Sequence, residues 1–292
     1  MKQSYPFYRI NAFTSHHFSG NPASVVVLKQ ELPHVAMYTA IAAEMSTPET
    51  VFVLPLTQLY SDGHVFSLRF FMATHEVKMC GHATLAAAHV LLKEGKNQQN
   101  STLLFKTLSG TITANLLPIG KIALDFPSDT FVDFTPSDEL LQKMGLTNLV
   151  KAVYAESRNL AIFQVENLST LQGIQPDFDA LKKHKELAIK KVAITTNVLD
   201  SALVTTNPHQ LAQNYDFVSR CFCPWIGIDE DALSAASHTL LASFWAMTSP
   251  KRHFKAFQAS KRTGELEIII KNDQRMELVG DGYVSLKGEI YY

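Results

Sequence analysis

Apolar residues crowd the segment from Ala83 to Leu92, A-T-L-A-A-A-H-V-L-L, in which only Thr84 and His89 are polar. A helix with almost no solvated face is buried on nearly all sides. An apolar strand ending at Phe70-Phe71, a polar turn and a Cys80-Gly81-His82 corner lead into it. Free backbone N–H groups and the positive end of the helix dipole collect at such a start and suit an anion. The pattern predicts the floor of an active site. A similar one returns about 150 residues later, from Phe222 to Phe244, so the chain reads as two like halves. With His238 set against His89, Asp231 falls opposite His82, and the strand ends Phe71 and Phe222 match after a two-residue gap.

Elsewhere short apolar or alternating runs predict strands, at Phe7–Phe13, Ser24–Leu28, Val51–Leu54 and Val65–Phe71. Three more follow the first buried helix, at Thr102–Lys106, Gly110–Leu116 and Lys121–Phe126. Pro33 to Met45 carries a helical pattern that Ser46-Thr47-Pro48 stops, and Gly95-Lys96-Asn97 closes the buried helix. In the second half a Pro-led helix starts near Pro136 and another covers Asp177–Leu187. Strands are expected at Lys151–Glu156, Leu160–Glu166, Val192–Thr195, Ala202–Thr205 and Phe217–Phe222. Four more are expected at Phe254–Ala259, Leu266–Ile270, Met276–Val279 and Tyr283–Ile290, the last set off by Gly280-Asp281-Gly282. Many short strands and one buried helix per half predict an α+β protein in which a curved sheet wraps the helix. The domain boundary falls between Pro118 and Pro136, which gives residues 1–125 and 126–292.

Composition narrows the class. The 292 residues leave room for two domains of ordinary size, and a net charge of −1 offers no general attraction to nucleic acid or acidic membrane. Three cysteines, Cys80, Cys221 and Cys223, form no even disulfide framework and point to a reducing compartment. No leader-like apolar core opens the chain, and no run approaches the roughly 18 apolar residues of a membrane span. The expectation is a cytoplasmic protein. No G-x-G-x-x-G, Walker, G-x-S-x-G or H-E-x-x-H pattern occurs, which favours chemistry without a cofactor or metal.

Glu49 is the candidate for that chemistry. It lies between a helix stop and an apolar strand, where partial desolvation would raise its pKa toward that of a general acid/base. An ordinary solvated glutamate at a strand start is the competing reading. Glu44 and Glu76 are alternatives, with Glu44 in helix and expected to be exposed. Gly20-Asn21-Pro22 reads as a turn by its local chemistry.

Five segments carry a resemblance. They are Asn11–Ala23 (N-A-F-T-S-H-H-F-S-G-N-P-A), Met45–Val53 (M-S-T-P-E-T-V-F-V), Cys80–His89 (C-G-H-A-T-L-A-A-A-H), Glu230–His238 (E-D-A-L-S-A-A-S-H) and Phe257–Leu266 (F-Q-A-S-K-R-T-G-E-L). In order and spacing they resemble the PhzF-like phenazine-biosynthesis family, which shares the diaminopimelate epimerase-type fold. The resemblance implies two barrel-like domains, each around a central helix, with a last strand from about Tyr283 that pairs back onto the first. It implies a homodimeric isomerase independent of metals and cofactors, acting on a small carboxylated metabolite at a site between the domains. Glu49 would shuttle a proton between carbons, with His82 and Asp231 assisting. Asn21, Gly81, Ala235, Ala236 and Ser237 would hold the substrate. The family usually has Gly-Ser where this chain has Ala235-Ala236, and the serine hydroxyl is missing at its usual place. Two rivals follow: a thiol-based epimerase using Cys80, and a binding protein that kept the fold without turnover.

Overall fold

The structure, a computed structural model, describes residues 4–56, 64–95, 101–197, 215–272 and 275–291. Its elements begin β1 (Ser4–Ala12), β2 (Asn21–Val27), α1 (Val35–Met45), β3 (Glu49–Pro55), β4 (Val65–Phe71) and β5 (Glu76–Val77). Next come α2 (Gly81–Lys93), β6 (Thr102–Thr107), β7 (Gly110–Leu116), β8 (Ile122–Pro127) and β9 (Val132–Asp133). The chain continues with α3 (Asp138–Met144), β10 (Lys151–Ala155), β11 (Leu160–Gln164), α4 (Leu168–Gly173) and α5 (Phe178–Lys183). After β12 (Lys191–Asn197), β13 (Phe217–Cys223) and β14 (Ile228–Asp231) comes α6 (Ala235–Ala246). The last strands are β15 (His253–Gln258), β16 (Gly264–Asn272), β17 (Arg275–Gly280) and β18 (Gly282–Tyr291). The strand expected at Ala202–Thr205 and the residues Lys96 and Asn97 lie outside the described residues. Among the described residues no helix is long and apolar enough to cross a membrane.

The chain divides into two units, Met1–Phe126 with Glu277–Tyr292, and Pro127–Met276. The return to the first unit starts at Glu277, earlier than a last strand from about Tyr283 alone would bring it. The reason is that β17 pairs with β8 and β18 with β1, so both strands belong to that sheet.

In the first unit the strands run β18-β1-β2-β3-β4-β6-β7-β8, with the short β5 beside β4. Among them β2–β3 and β4–β6 are parallel pairs. Helix α2 touches β18, β1, β2 and β3 and also β7, strands from opposite reaches of one sheet. The sheet therefore curls around the helix, and every α2 residue from His82 to Leu92 is buried. The other face of β2–β4 is covered by α1, through Tyr38, Ile41 and Ala42 against Val26, Phe52 and Phe71. Two-sided cover explains why β2 is buried along its whole length and reads as an unbroken run instead of an alternation.

The second unit repeats the plan: β9-β10-β11-β12-β13-β15-β16, with β14 beside β13. Its parallel pairs, β11–β12 and β13–β15, fall at the places corresponding to β2–β3 and β4–β6. Helix α6 is the central helix, buried through His238, Leu240, Leu241, Phe244 and Trp245. Helices α3, α4 and α5 seat Leu140, Leu171 and Leu181 in an outer core with Phe163 and Phe222.

The repeat has a register that differs from the sequence alignment. In the first unit Arg69 forms a two-pronged ion pair with Glu76, both bonds 2.8 Å, and lies over the ring of Phe71. In the second unit Arg220 pairs with Glu230 in the same manner, at 2.8 and 3.1 Å, over Phe222. Each glutamate precedes the helix N-cap by four residues, Cys80 in one case and Ser234 in the other. Phe71 and Phe222 do correspond, but His82 then corresponds to Ala236, and His238 to Thr84. Side chains at the latter two positions both bond the N-cap carbonyl, Thr84 Oγ1 at 2.7 Å and His238 Nδ1 at 2.8 Å. Asp231 is not at a helix start. It ends β14, and the helix waits for Ser234, whose hydroxyl accepts from Ser237 N–H in the manner of a good N-cap.

Candidate active site

Three chain segments of the first unit converge on the start of α2. The loop before β2 is tied by Thr14 Oγ1 to Ser19 Oγ at 2.6 Å and ends at Gly20. Gly20 has φ +73°, and a Cβ there would meet Ala12 O and Thr14 Cγ2 at 2.5 Å. Glycine is required there, and of Gly20-Asn21-Pro22 only Gly20 lies in the loop. Asn21 and Pro22 already belong to β2, paired with Ala12 and Asn11. Beside β2 the chain leaves α1 through Ser46, with φ +51°, and enters β3 at Glu49. Thr47 Oγ1 donates to both Ser24 Oγ and Glu49 O at 3.1 Å, which fixes Glu49 against β2. In the parallel register Glu49 lies next to Ala23.

His82, second residue of α2, is the centre of the cluster. Its Nε2 is 3.3 Å from Glu49 Oε2, and its Nδ1 is 3.2 Å from Asn21 Nδ2 and 3.3 Å from Cys80 Sγ. Nε2 is directed at Glu49 and Nδ1 at the Asn21 amide, so a protonated ring donates from Nε2 to the carboxylate and from Nδ1 to the amide oxygen once that is the end turned toward it. Gly81 is half-buried beside it, and its N–H belongs to the first turn, where no intrahelical partner exists. Glu49 keeps a side-chain exposure of 14% against 7% for His82, so the carboxylate is the part of the cluster that reaches outward.

Burial opposes charge on the His82 ring, but Cys80 and the Glu49 carboxylate favour it, and the balance holds the imidazolium well above the ordinary histidine range. Burial raises the Cys80 thiol, and the Glu49 carboxylate raises it further. With Cys80 thus kept as a thiol, Glu49 is the charge that sustains the imidazolium. A carboxylate beside an imidazolium is a base with an electrophile at its side. Glu49, Cys80 and His82 are also three potential metal ligands, with donor atoms within 4.8 Å of one another.

In the second unit, Asp231 is half-buried and paired with Cys221 across β13–β14. Burial, then the Asp231 carboxylate, push the Cys221 thiol up to about 11. Gln258 holds the link to α6 by donating to Asp231 O at 2.6 Å and accepting from Ser234 N–H at 2.9 Å. Ser260 donates to Ala232 O. Ala236 is half-buried and Ala235 buried at the helix start. Ser237 is fully buried, with its hydroxyl donating to Ser234 Oγ at 2.9 Å and 3.3 Å from Cys221 Sγ. Its hydroxyl is thus engaged inside the unit.

Of the residues singled out from sequence, the structure brings Asn21, Glu49, Gly81 and His82 together, and groups Asp231, Ala235, Ala236 and Ser237 in the other unit. Glu44 is exposed, and Glu76 is bound to Arg69. The paired arginines Arg69 and Arg220 were not expected. Their signal is present all the same, since each stands two residues before the strand-end phenylalanine, with a glutamate four residues before the helix cap.

Residues 10–288 match the model of the phenazine biosynthesis-like protein family. A mouse phenazine biosynthesis-like domain-containing protein is 36% identical over 98% of both chains. An uncharacterized isomerase of Halalkalibacterium halodurans is 33% identical, again over 98% of each. The crystal structure of a PhzF-family phenazine biosynthesis protein from Enterococcus faecalis superposes with a TM-score of 0.85 at 30% identity, covering 99% of this chain and 100% of that one.

Proposed function

The chain belongs to the phenazine biosynthesis-like protein family, and on that footing we propose that it is an isomerase in which Glu49 carries a proton between two carbons of a small carboxylated substrate. The observation that supports this reading is the 3.3 Å contact between Glu49 and His82 in a largely buried corner. Glu49 starts as a carboxylate and takes a proton from a carbon flanked by an unsaturated or carbonyl group. The negative charge passes to the conjugated substrate, while the imidazolium stays in place to stabilise it. Glu49 then returns the proton to a different carbon. Atoms and electrons balance without an oxidant, reductant or cofactor. The substrate carboxylate would meet the N–H groups at the start of α2, worth about 0.3–1 kcal/mol and up to about 2 when partly buried. Asp231 is the acidic residue of the second unit that the reading assigns to substrate orientation.

The test is proton exchange. A panel of small unsaturated and keto carboxylates is incubated in D2O with the protein, and carbon-bound deuterium is followed by NMR. Glu49→Gln should slow exchange by about 10²–10⁴-fold, the usual worth of a positioned acid/base. Unchanged exchange in that variant removes Glu49 from the mechanism. Carboxylate binding without exchange across the panel favours the non-catalytic reading, for which Ala235-Ala236 is the motivating feature.

A further inference from the structure

Strand β18 ends the first unit's sheet and leaves an open edge. It spans ten residues and pairs with β1, and among the described residues no strand lies against its other side. Ser285 to Glu289 are exposed without interruption, and Leu286 and Tyr291 keep 55% and 64% of their surface in solvent. An open edge of that length is a template for another strand. Two prolines give the phase of its ladder. Pro6 lies opposite Glu289 and has no N–H to exchange, so that pair is not hydrogen-bonded. Pro22 opposite Asn11 sets the same phase from the other side of β1. Glu289 therefore turns its N–H and C=O outward, as does Lys287 two residues earlier, while Gly288 and Phe7 form a hydrogen-bonded pair.

The side chains along this edge are complementary to themselves. Leu286, Gly288 and Ile290 share the face on which Ile290 and Phe7 pack against the α1 cluster. Lys287 and Glu289 share the opposite face. Lys287 Nζ is 3.9 Å from Glu94 Oε2 with 70% of its side chain exposed, and Glu289 Oε2 accepts from the Tyr291 hydroxyl at 3.1 Å. Two such strands that meet antiparallel about a two-fold axis at Gly288 oppose Lys287 to Glu289 of the second copy, twice, on one face. On the other face they oppose Leu286 to Ile290, again twice. A shift of the axis to Lys287 or to Glu289 sets like charges face to face, which is unfavourable. Gly288 also suits the centre. A Cβ there would meet Phe7 Cε1 at 3.1 Å, and in the narrow, non-hydrogen-bonded pair at the axis the Cα atoms approach to about 4.5 Å.

We propose that this edge joins two copies of the chain, β18 to β18, into one continuous sheet across a two-fold axis at Gly288. The interface is isologous, so each attractive pair occurs twice. Lys287 and Glu289 fix its register, and Leu286 with Ile290 supply the apolar contact. The bulge at Ser285, where Arg9 and Ile10 skip one residue of β18, ends the regular stretch that takes part. The interface draws on none of the residues at the α2 start and is independent of the proposed isomerisation.

Sedimentation equilibrium of the full chain measures the association, with far-UV circular dichroism to show that each variant is folded. The native chain should be a dimer. Lys287→Glu and Glu289→Lys each turn two attracting pairs into two repelling ones, and each should raise the dimer dissociation constant by about 10–100-fold. An equal mixture of the two variants should recover association, because every facing pair in the mixed dimer is again of opposite charge. A native chain that stays monomeric overturns the interface and assigns Lys287 to keeping the edge unpaired. A dimer that neither reversal weakens places the contact elsewhere on the molecule and overturns the proposal equally. So does a mixture that associates no more tightly than its components.

Discussion

Acid should weaken this protein through its two central-helix histidines before its carboxylates are titrated. His238 is fully buried on α6, with Nδ1 2.8 Å from Ser234 O and Nε2 3.4 Å from Ser219 Oγ. A carbonyl only accepts, so Nδ1 carries the proton and Nε2 takes one from the serine hydroxyl. The neutral ring is satisfied on both sides. Burial lowers its pKa to about 4, against the small opposing effect of the Ser234 carbonyl. His89 on α2 also lies at about 4, lowered by burial and then by Lys93. In the unfolded chain a histidine titrates near pH 6.5. The unfolded state therefore binds more protons between those values, and stability falls as the pH drops from 6.5 toward 4. Each histidine should cost about 2 kcal/mol at pH 5 and about 3 kcal/mol once the pH is below 4. His82 has the opposite sign: its raised pKa contributes stability below pH 6.5 that is lost as the pH rises through its folded value. The clean measurement is consequently a difference. Urea unfolding of the native chain and of His238→Asn, whose amide N–H can still donate to Ser234 O, is compared from pH 7.5 to 5. The variant should begin less stable, because it loses ring volume, and should then lose about 2 kcal/mol less than the native chain over that range. Parallel curves would refute the buried, neutral assignment.

Removal of the arginines should be graded. Arg220 also donates to the carbonyls of Leu171 and Ile174, at 3.3 and 2.9 Å, so Arg220→Met should cost about 2–3 kcal/mol. Arg69→Met, which gives up one two-pronged pair and a cation over Tyr38 and Phe71, should cost about 1–2 kcal/mol. Thermal melts that reverse this order would count against the carbonyl contacts. Gly20→Ala should destabilise by about 1–3 kcal/mol, from the left-handed φ and the clash with Ala12 O and Thr14, and a neutral melt would contradict that local geometry.

What could be read from sequence follows the range of the interactions. Helix α2 is plain because thirteen consecutive residues, Gly81–Lys93, decide it together and most are apolar. The α+β class and most strands are legible for the same reason, as local runs bounded by turns. Strand β14 is not, because Ile228-Asp229-Glu230-Asp231 lacks strand composition and is held by its register with Cys221 and Phe222 and by Arg220. That hidden strand is what displaced the alignment of the halves and put Asp231 at a helix start. Glu49 could be nominated by its position, but its contact with His82 depends on a parallel β2–β3 pairing and a helix thirty residues on. Only the resemblance carried that far.

The matching arginine pairs give the two halves a common coordinate frame, and its use shows how the halves have parted. Phe71 faces Thr50, and Phe222 faces Val192, so Glu49 and Lys191 occupy equivalent places at the heads of β3 and β12. Equivalent places thus hold Glu49, Cys80 and His82 on one side, and Lys191, Ser234 and Ala236 on the other. The scaffold is present in duplicate, whereas among these equivalent places the Glu, Cys and His side chains stand in the first unit alone. Lys191→Glu, Ser234→Cys and Ala236→His in one chain would copy the trio into its twin, and a second histidine titrating above the ordinary range by NMR would report that the transplant had taken.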